Sequence, residues 1–463
     1  AIAQVGTNGK EIVGGMTVDE LGNTYLVGST DGSFNDQGSA EHRIFVSKTD
    51  IHGDLLWATE LEMTDGSMLK AVITDDEHVY VAGRTLGNLP GFTNAGRWDG
   101  ILLKLRIDDG SIVAVDQWGN SGIDGYGNLE LDDAGNLYAS AQGSPASGGG
   151  GTDDVYLVAK HRTSDLSNVW RALNPPETNG FAASAEAWGG LTYEPSDVPG
   201  EGRLIVGGWY FANNGANAFA SVYEDLHLAQ PSRPHSIVLA APGPRADWIL
   251  DNVVDSEGNI YVAGYTTGDL GGTHQGDGDA FIIKYNSTLS NPIIRQFGTE
   301  YSDQIRHLEI DENGILYAVG YTYGDYAQAN SDPSRRTGDI LIQKFDSDLN
   351  FLDAAQIGTG GEDRAMSHLL GGNLFLGGMT EATIVNESHG SFDGFAVALN
   401  RDSLDQTLLL GDVNLDGQVN LLDVQPMTDL ITSGTYHANA DFDFDGVITL
   451  LDVAPFTERL NQI

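Results

Sequence analysis

Residues 1–410 repeat one strand seven times, and no other feature limits the fold as strongly. The copies read NTYLVGST (23–30), HVYVAGRT (78–85), NLYASAQG (136–143), RLIVGGWY (203–210), NIYVAGYT (259–266), ILYAVGYT (315–322) and NLFLGGMT (373–380). The aligned ring or aliphatic position falls at Tyr25, Tyr80, Tyr138, Ile205, Tyr261, Tyr317 and Phe375, in steps of 55, 58, 67, 56, 56 and 58 residues. A period of roughly 50–60 residues suits four short strands and their loops, so the expectation is seven four-stranded sheets set around an axis.

Each copy brings the same companions. An Asp-rich turn precedes the repeated strand at Asp19-Glu20-Leu21-Gly22, Asp132-Asp133-Ala134-Gly135, Asp255-Ser256-Glu257-Gly258 and Asp311-Glu312-Asn313-Gly314, where Asp caps and Gly takes positive φ. A third strand often opens on Asp: DGILLKL at Asp99, DAFIIKY at Asp279, DILIQKF at Asp339 and DGFAVAL at Asp393. A fourth ends in Gln-apolar-Gly, as at Gln117-Trp118-Gly119, Gln296-Phe297-Gly298 and Gln356-Ile357-Gly358. No helical period of useful length appears before residue 421. The pattern resembles secreted bacterial proteins with β-propeller repeats of the GNxYVxGxT type, which implies a mainly β, seven-bladed propeller over 1–410 and leaves its function open.

Closure has two candidate strands. Gln4-Val5-Gly6-Thr7 carries the fourth-strand signature with no sheet of its own, and 407–410 offers a second candidate for the same edge. Either Ile2 to Val5 seal the chain's own ring, or one strand is added to a neighbouring molecule, with Ile2 and Val5 binding that partner and building a head-to-tail assembly.

The tail, 411–460, is a second, smaller duplication. GDVNLDGQVNLLDVQPMTDLI and ADFDFDGVITLLDVAPFTERL align so that Asp412, Asp416, Gly417, Asp423, Val424 and Pro426 recur 29 residues later as Asp441, Asp445, Gly446, Asp452, Val453 and Pro455. A twelve-residue calcium loop needs oxygens at positions 1, 3, 5, 7 and 12 and a glycine at 6. The first loop supplies Asp412, Asn414, Asp416, the carbonyl of Gln418 and Asp423; the second supplies Asp441, Asp443, Asp445, the carbonyl of Val447 and Asp452. Two calcium ions are expected, and the turn His274-Gln275-Gly276-Asp277-Gly278-Asp279 is a candidate for a further one. Each loop leads into an apolar-periodic helix, on Val424, Met427 and Ile431 and on Val453, Phe456 and Leu460, and no helix pattern precedes it. Loop plus one helix, in duplicate, resembles a type I dockerin over 411–463, and the LLDVxPF-like signature resembles tails on secreted proteins of planctomycete-type bacteria. That resemblance implies a cohesin-like partner read by loop positions 10 and 11, which are Leu421, Leu422, Leu450 and Leu451 here; leucine pairs suit burial better than an exposed polar interface.

Charge narrows the partners. Sixty-six acidic residues against 23 basic ones give a net charge of −43, which excludes nucleic acid and anionic membrane as partners and favours divalent cations. Cysteine is absent, so neither disulfides nor thiolate chemistry is available, and calcium is left to staple a protein expected outside the cell. No apolar run is long enough to span a membrane. The chain shows no H-E-x-x-H, no G-x-S-x-G and no phosphate-cradling loop, and its paired carboxylates (Asp75-Asp76, Asp132-Asp133, Asp153-Asp154) recur at equivalent repeat positions. A residue repeated around a ring is structural; a binding or catalytic one breaks the symmetry. The symmetry-breaking aromatics Trp98, Trp188, Trp209, Tyr210, Tyr321 and Tyr323 either stack on sugar or wedge between blades. Three functions stay open: a structural protein self-assembling into a filament or surface layer, which is the leading expectation; a glycan- or protein-binding propeller attached by its tail to a cohesin-bearing scaffold; and, last, a polysaccharide-degrading enzyme.

Overall fold

The computed structural model describes residues 2–34, 42–63, 66–143, 155–173, 185–186, 189–212, 215–239, 245–327, 329–381, 392–400, 424–433 and 453. The chain forms two compact units, Ala1–Ala398 and Leu399–Ile463. After β1 (Ile2–Val5), the first unit runs through blades of antiparallel strands. Blade one is β2 (Glu11–Val18), β3 (Thr24–Thr30), β4 (Arg43–Thr49) and β5 (Leu55–Glu62). Blade two is β6 (Met68–Thr74), β7 (His78–Thr85), β8 (Asp99–Arg106) and β9 (Ile112–Trp118). Blade three is β10 (Gly125–Leu131), β11 (Asn136–Gly143), β12 (Val155–Arg162) and β13 (Asn168–Leu173). Blade four splits its inner strand into β14 (Ala185–Glu186) and β15 (Leu191–Glu194), followed by β16 (Arg203–Ala212), β17 (Gly215–Glu224) and β18 (Ser232–Leu239). Blade five is β19 (Arg245–Val254), β20 (Ile260–Thr266), β21 (Asp279–Tyr285) and β22 (Ile293–Phe297). Blade six is β23 (Asp303–Ile310), β24 (Leu316–Thr322), β25 (Asp339–Phe345) and β26 (Phe351–Ile357). Blade seven is β27 (Asp363–Leu370), β28 (Asn373–Thr380) and β29 (Asp393–Asn400), completed by β1.

That completion settles the edge within the described residues. β1 pairs antiparallel with β29, Ile2 opposite Val397 and Val5 opposite Gly394, and Val5 is buried. Gln4 Nε2 donates to Asp393 Oδ2 at 2.6 Å, as the fourth-strand glutamines of other blades do. Ile2 and Val5 therefore seal the chain's own seventh blade instead of reaching a second molecule; the competing segment 407–410 lies outside the described residues. Inner strands sit side by side in the order β2, β6, β10, β15, β19, β23, β27, and β27 meets β2. The ring is closed.

Its apolar core lies in the clefts between neighbouring blades. Tyr25, Val27, Ile44 and Val46 of blade one pack on Leu69, Val79, Val81 and Ile101 of blade two. Val13, Leu26 and Phe45 receive Met366 and Met379 across the closing joint. Blades four and five are joined further by two parallel pairs, Gly215 with Arg245 and Ala216 with Ala246. Single parallel bridges occupy three other joints, at Lys10–Phe392, Trp98–Ile123 and Gly278–Ser302.

The repeated strand is fixed by contacts at both ends. At its start, Asp19 Oδ1 accepts the amides of Leu21 and Asn23 while Oδ2 accepts Asn23 Nδ2 and the Tyr25 hydroxyl. Asp132, Asn136 and Tyr138 repeat the set, as do Asp255, Asn259 and Tyr261. Near its end, Gly28, Gly83, Gly264, Gly320 and Gly378 each face an inner-strand carbonyl, where blade three has Ala141: a Cβ on Gly264 would stand 1.7 Å from Trp248 O, and one on Gly320 1.8 Å from Gln304 O. The inner strand bulges there, and only glycine admits the close approach.

Asp132 collects four donors at one turn, from the backbone amides of Ala134 and Asn136, Asn136 Nδ2 and the Tyr138 hydroxyl. Asp132→Ala leaves all of them short of an acceptor and is expected to cost about 2–3 kcal/mol. Tyr138→Phe, which loses one charge-assisted bond, is expected to cost about 1 kcal/mol. Urea midpoints at fixed calcium, with unchanged m-values, check both.

Candidate functional site

The expected calcium ligands Asp412, Asn414, Asp416, Gln418, Asp423, Asp441, Asp443, Asp445, Val447 and Asp452 lie outside the described residues, as do Leu421, Leu422, Leu450 and Leu451. What is described is the element that the first loop was expected to lead into. Helix α1 (Val424–Ser433) begins directly after Asp423. Met427 on its apolar stripe is only 2% exposed and Ile431 is half-buried, whereas Val424 at the first turn is 40% exposed. Thr428 and Thr432 turn their hydroxyls back onto the carbonyls of Val424 and Thr428, at 2.8 and 2.7 Å, and stay exposed. Val453 of the second repeat is helical too.

In the propeller, the third-strand aspartates belong to the fold. Asp279 is fully buried; its oxygens accept the Gln275 amide, and Oδ2 also accepts Gln296 Nε2 at 2.8 Å. The same Gln–Asp pair recurs as Gln117–Asp99 and Gln356–Asp339, each at 2.8 Å. The glutamine carbonyl takes the amides of the loop ahead of the third strand, from Leu89, Leu270 and Tyr326. The turn His274–Asp279, considered above for calcium, thus has its carboxylate engaged by the chain's own donors. Among the described residues no group of three or more His, Cys, Asp or Glu is placed to hold a metal ion.

The inner strands carry a feature that the sequence reading missed. Glu130 of β10, Asp251 of β19 and Glu309 of β23 are half-buried acids on strands that line the axis. Asp251 ties its strand to the next blade by accepting the Leu308 amide at 2.9 Å, and Glu130 and Glu309 face the backbone of Tyr193 and of Leu369 in theirs. Thr192 completes the series by donating to Asn252 O at 2.8 Å. Burial, reinforced by the nearby Asp251 charge, pushes the carboxyls of Glu130 and Glu309 up to about 8, and burial pushes Asp251 up to about 7. His307, 3.8 Å from Asp251, is pushed down to about 3 by burial with Arg306 adding to the effect, and burial lowers His368 as well. The signal was present only as single acids in the second half of these strands (GYGNLEL, RADWILDNVV, DQIRHLEI); without an axis nothing links them.

Of the candidate aromatics, several are wedges. Trp209, Tyr210 and Tyr321 are 6, 6 and 7% exposed. Trp98 lies under the Arg84 guanidinium, 4.2 Å from it, and Tyr323 donates to Glu362 at 3.1 Å. Trp188 lies outside the described residues.

Acids raised above their ordinary values hold their protons more tightly when folded, so unfolding releases protons and stability falls as pH rises. For Glu130 and Glu309 the fall spans about pH 4.5 to about 8; Asp363, raised to about 6 by burial, completes its part earlier. The melting temperature is expected to drop from pH 5 to pH 8.5, and Glu130→Gln with Glu309→Gln to flatten the part above pH 7, measured by calorimetry at fixed calcium.

Comparison with known families agrees with this geometry. The dockerin type I domain matches residues 410–461, and the β-propeller repeat matches residues 2–35 and 252–271. No curated protein matches the sequence. Among solved structures, a quinohemoprotein alcohol dehydrogenase from Comamonas testosteroni is similar at 8% identity and a TM-score of 0.48, over 86% of this chain and 76% of that one. Sqt1 from Chaetomium thermophilum is similar at 11% and 0.46, over 87% and 98%, and hydrazine synthase of Kuenenia stuttgartiensis at 10% and 0.42, over 73% and 77%. At such values the likeness assigns no activity. The chain carries β-propeller repeats followed by a type I dockerin domain.

Proposed function

We propose that this is a secreted, non-catalytic, calcium-binding protein whose propeller (1–410) presents a binding face for a glycan or protein and whose dockerin (411–463) attaches it to a cohesin-bearing scaffold. The match of the dockerin type I domain to residues 410–461 carries the reading. Dockerins are non-catalytic modules that bind calcium and typically dock on cohesins, and no helix among the described residues is long and apolar enough to cross a membrane. Two ions, one in each loop, would order the tail, because a carboxylate loop closes only around its cation. The absence of an enzymatic role is part of the proposal; it draws support from the third-strand aspartates being committed to the same hydrogen bonds in blade after blade.

Self-assembly into a filament or surface layer is the second reading. With β1 paired in its own blade, it would need another joint, and the leucine pairs Leu421-Leu422 and Leu450-Leu451 are the residues we would assign to it.

Calorimetry of the full chain against a cohesin panel is expected to show binding in calcium and none after chelation. Asp416→Ala with Asp445→Ala should remove calcium uptake and cohesin binding while the propeller's melting is kept. Filaments that form in calcium without any cohesin, seen by negative-stain microscopy, would replace scaffold attachment with self-assembly.

A further inference from the structure

Inner strands of four blades share a bulge at which one residue has no partner across the pair: Gly14 in β2, Lys70 in β6, Leu250 in β19 and Arg306 in β23. Bulges re-aim side chains, and this one repeats around the axis while its residue does not. Arg306 is half-buried and has no hydrogen-bond or ion-pair partner among the described residues. In a chain of net charge −43 a half-buried guanidinium with no carboxylate on it is a charge that the fold leaves free to pair with an anion.

The neighbouring sector is aromatic. Trp248 lies flat against Trp209, centroids 4.8 Å apart and planes within 5°, which holds the indole rigid. Tyr265 sits opposite Trp248 across the β19–β20 pairing, rings 5.2 Å apart, and lies within electrostatic reach of Arg306 and of Tyr321. Trp248 and Tyr265 are both half-buried, and the Trp248 indole N–H is sheltered with no acceptor. Arg364 of β27 stands 5.2 Å over the Tyr321 ring, its Nε held by Glu362 at 2.8 Å. Matching register positions carry Ile12 and Ser29 in blade one and Met68 and Arg84 in blade two, so the two faced rings belong to one side of the axis.

We infer that this sector binds a carboxylate-bearing saccharide, with Arg306 pairing the carboxylate and the sugar's C–H face lying on Trp248 and Tyr265. Guanidinium and carboxylate meet as a two-bond fork, and the two rings, tilted 54° to each other, offer apolar surface to the sugar's C–H groups. Glu130, Asp251 and Glu309 stand further along the inner strands and oppose deeper entry of an anion once they ionise. This inference rests on the glycan-binding side of the proposed function and names its ligand class.

The test is isothermal calorimetry of the full chain in calcium with trigalacturonic acid and with neutral galactotriose. Trigalacturonic acid is expected to bind at least about tenfold more tightly than galactotriose, with affinity falling as salt rises. Arg306→Gln should lower its affinity about tenfold or more and abolish the preference, and Arg306→Lys, which keeps charge without the fork, should fall between. Circular dichroism and retained galactotriose binding show that the variants are folded. Equal binding of both sugars by the natural chain, or unchanged affinity in Arg306→Gln, overturns the acidic-sugar site and leaves glycan binding standing. No binding of either sugar overturns both, and cohesin binding is read independently.

Discussion

Each blade must hold its neighbour, and in this propeller a buried or half-buried lysine bridges joint after joint. Lys48, Lys104, Lys160 and Lys284 leave their third strands and donate to carbonyls of Ile107, Thr163, Leu226 and Ser347 in the turns of other blades, at 2.7 to 3.2 Å. Each also sits 5.2–5.6 Å over the ring of the repeated tyrosine, Tyr25, Tyr80, Tyr138 and Tyr261, as Lys344 does over Tyr317. The tyrosine hydroxyl in turn donates to the turn aspartate in blades one, two, three and five. A cation over an aromatic face adds about 0.5–2 kcal/mol, and the carboxylate below offsets the lysine's desolvation. Turn, strand and neighbouring blade thus become one polar unit under an apolar cleft.

Blade four shows what happens where the unit is missing. Ile205 replaces the tyrosine and stands opposite Val222 instead of a lysine. Without a hydroxyl and ring there is nothing to hold a buried ammonium, so both go together. The joint between blades four and five is strengthened differently, by strand pairing at Gly215 and Ala216 and by the Trp209–Trp248 stack. The least regular part of the repeat is therefore also where aromatic surface gathers beside the axis. Symmetry that is relaxed in the fold leaves room for chemistry.

Much of this was legible in the chain. Seven copies of one strand, their Asp-Gly turns and the Gln-apolar-Gly ends are local signals, and the structure puts them at the second, first-to-second and fourth positions of successive blades. The lysines stood in view within DGILLKL, DAFIIKY and DILIQKF, but their role depends on a carbonyl more than 50 residues away. Glu130, Asp251, Arg306 and Glu309 were less visible still, since the acid that inner strands repeat is a different one (Glu11, Asp247, Asp303, Asp363) and only a closed ring brings Glu130, Asp251 and Glu309 within reach of one another.

By itself the sequence determined the blade count, the strand order within each blade and the calcium-loop pattern of the tail, because turns, alternation and ligand spacing act over a few residues. Tertiary structure alone decided which strand closes the ring. Gln4-Val5-Gly6 and 407–410 both had a claim on that edge, and neither claim could be weighed locally. Ile2–Val5 takes it by pairing with β29 and bringing Gln4 to Asp393, a contact between residues 389 positions apart. Contacts of that range pay no heed to local pattern; they form only when the whole circle brings first and last blades to the same joint.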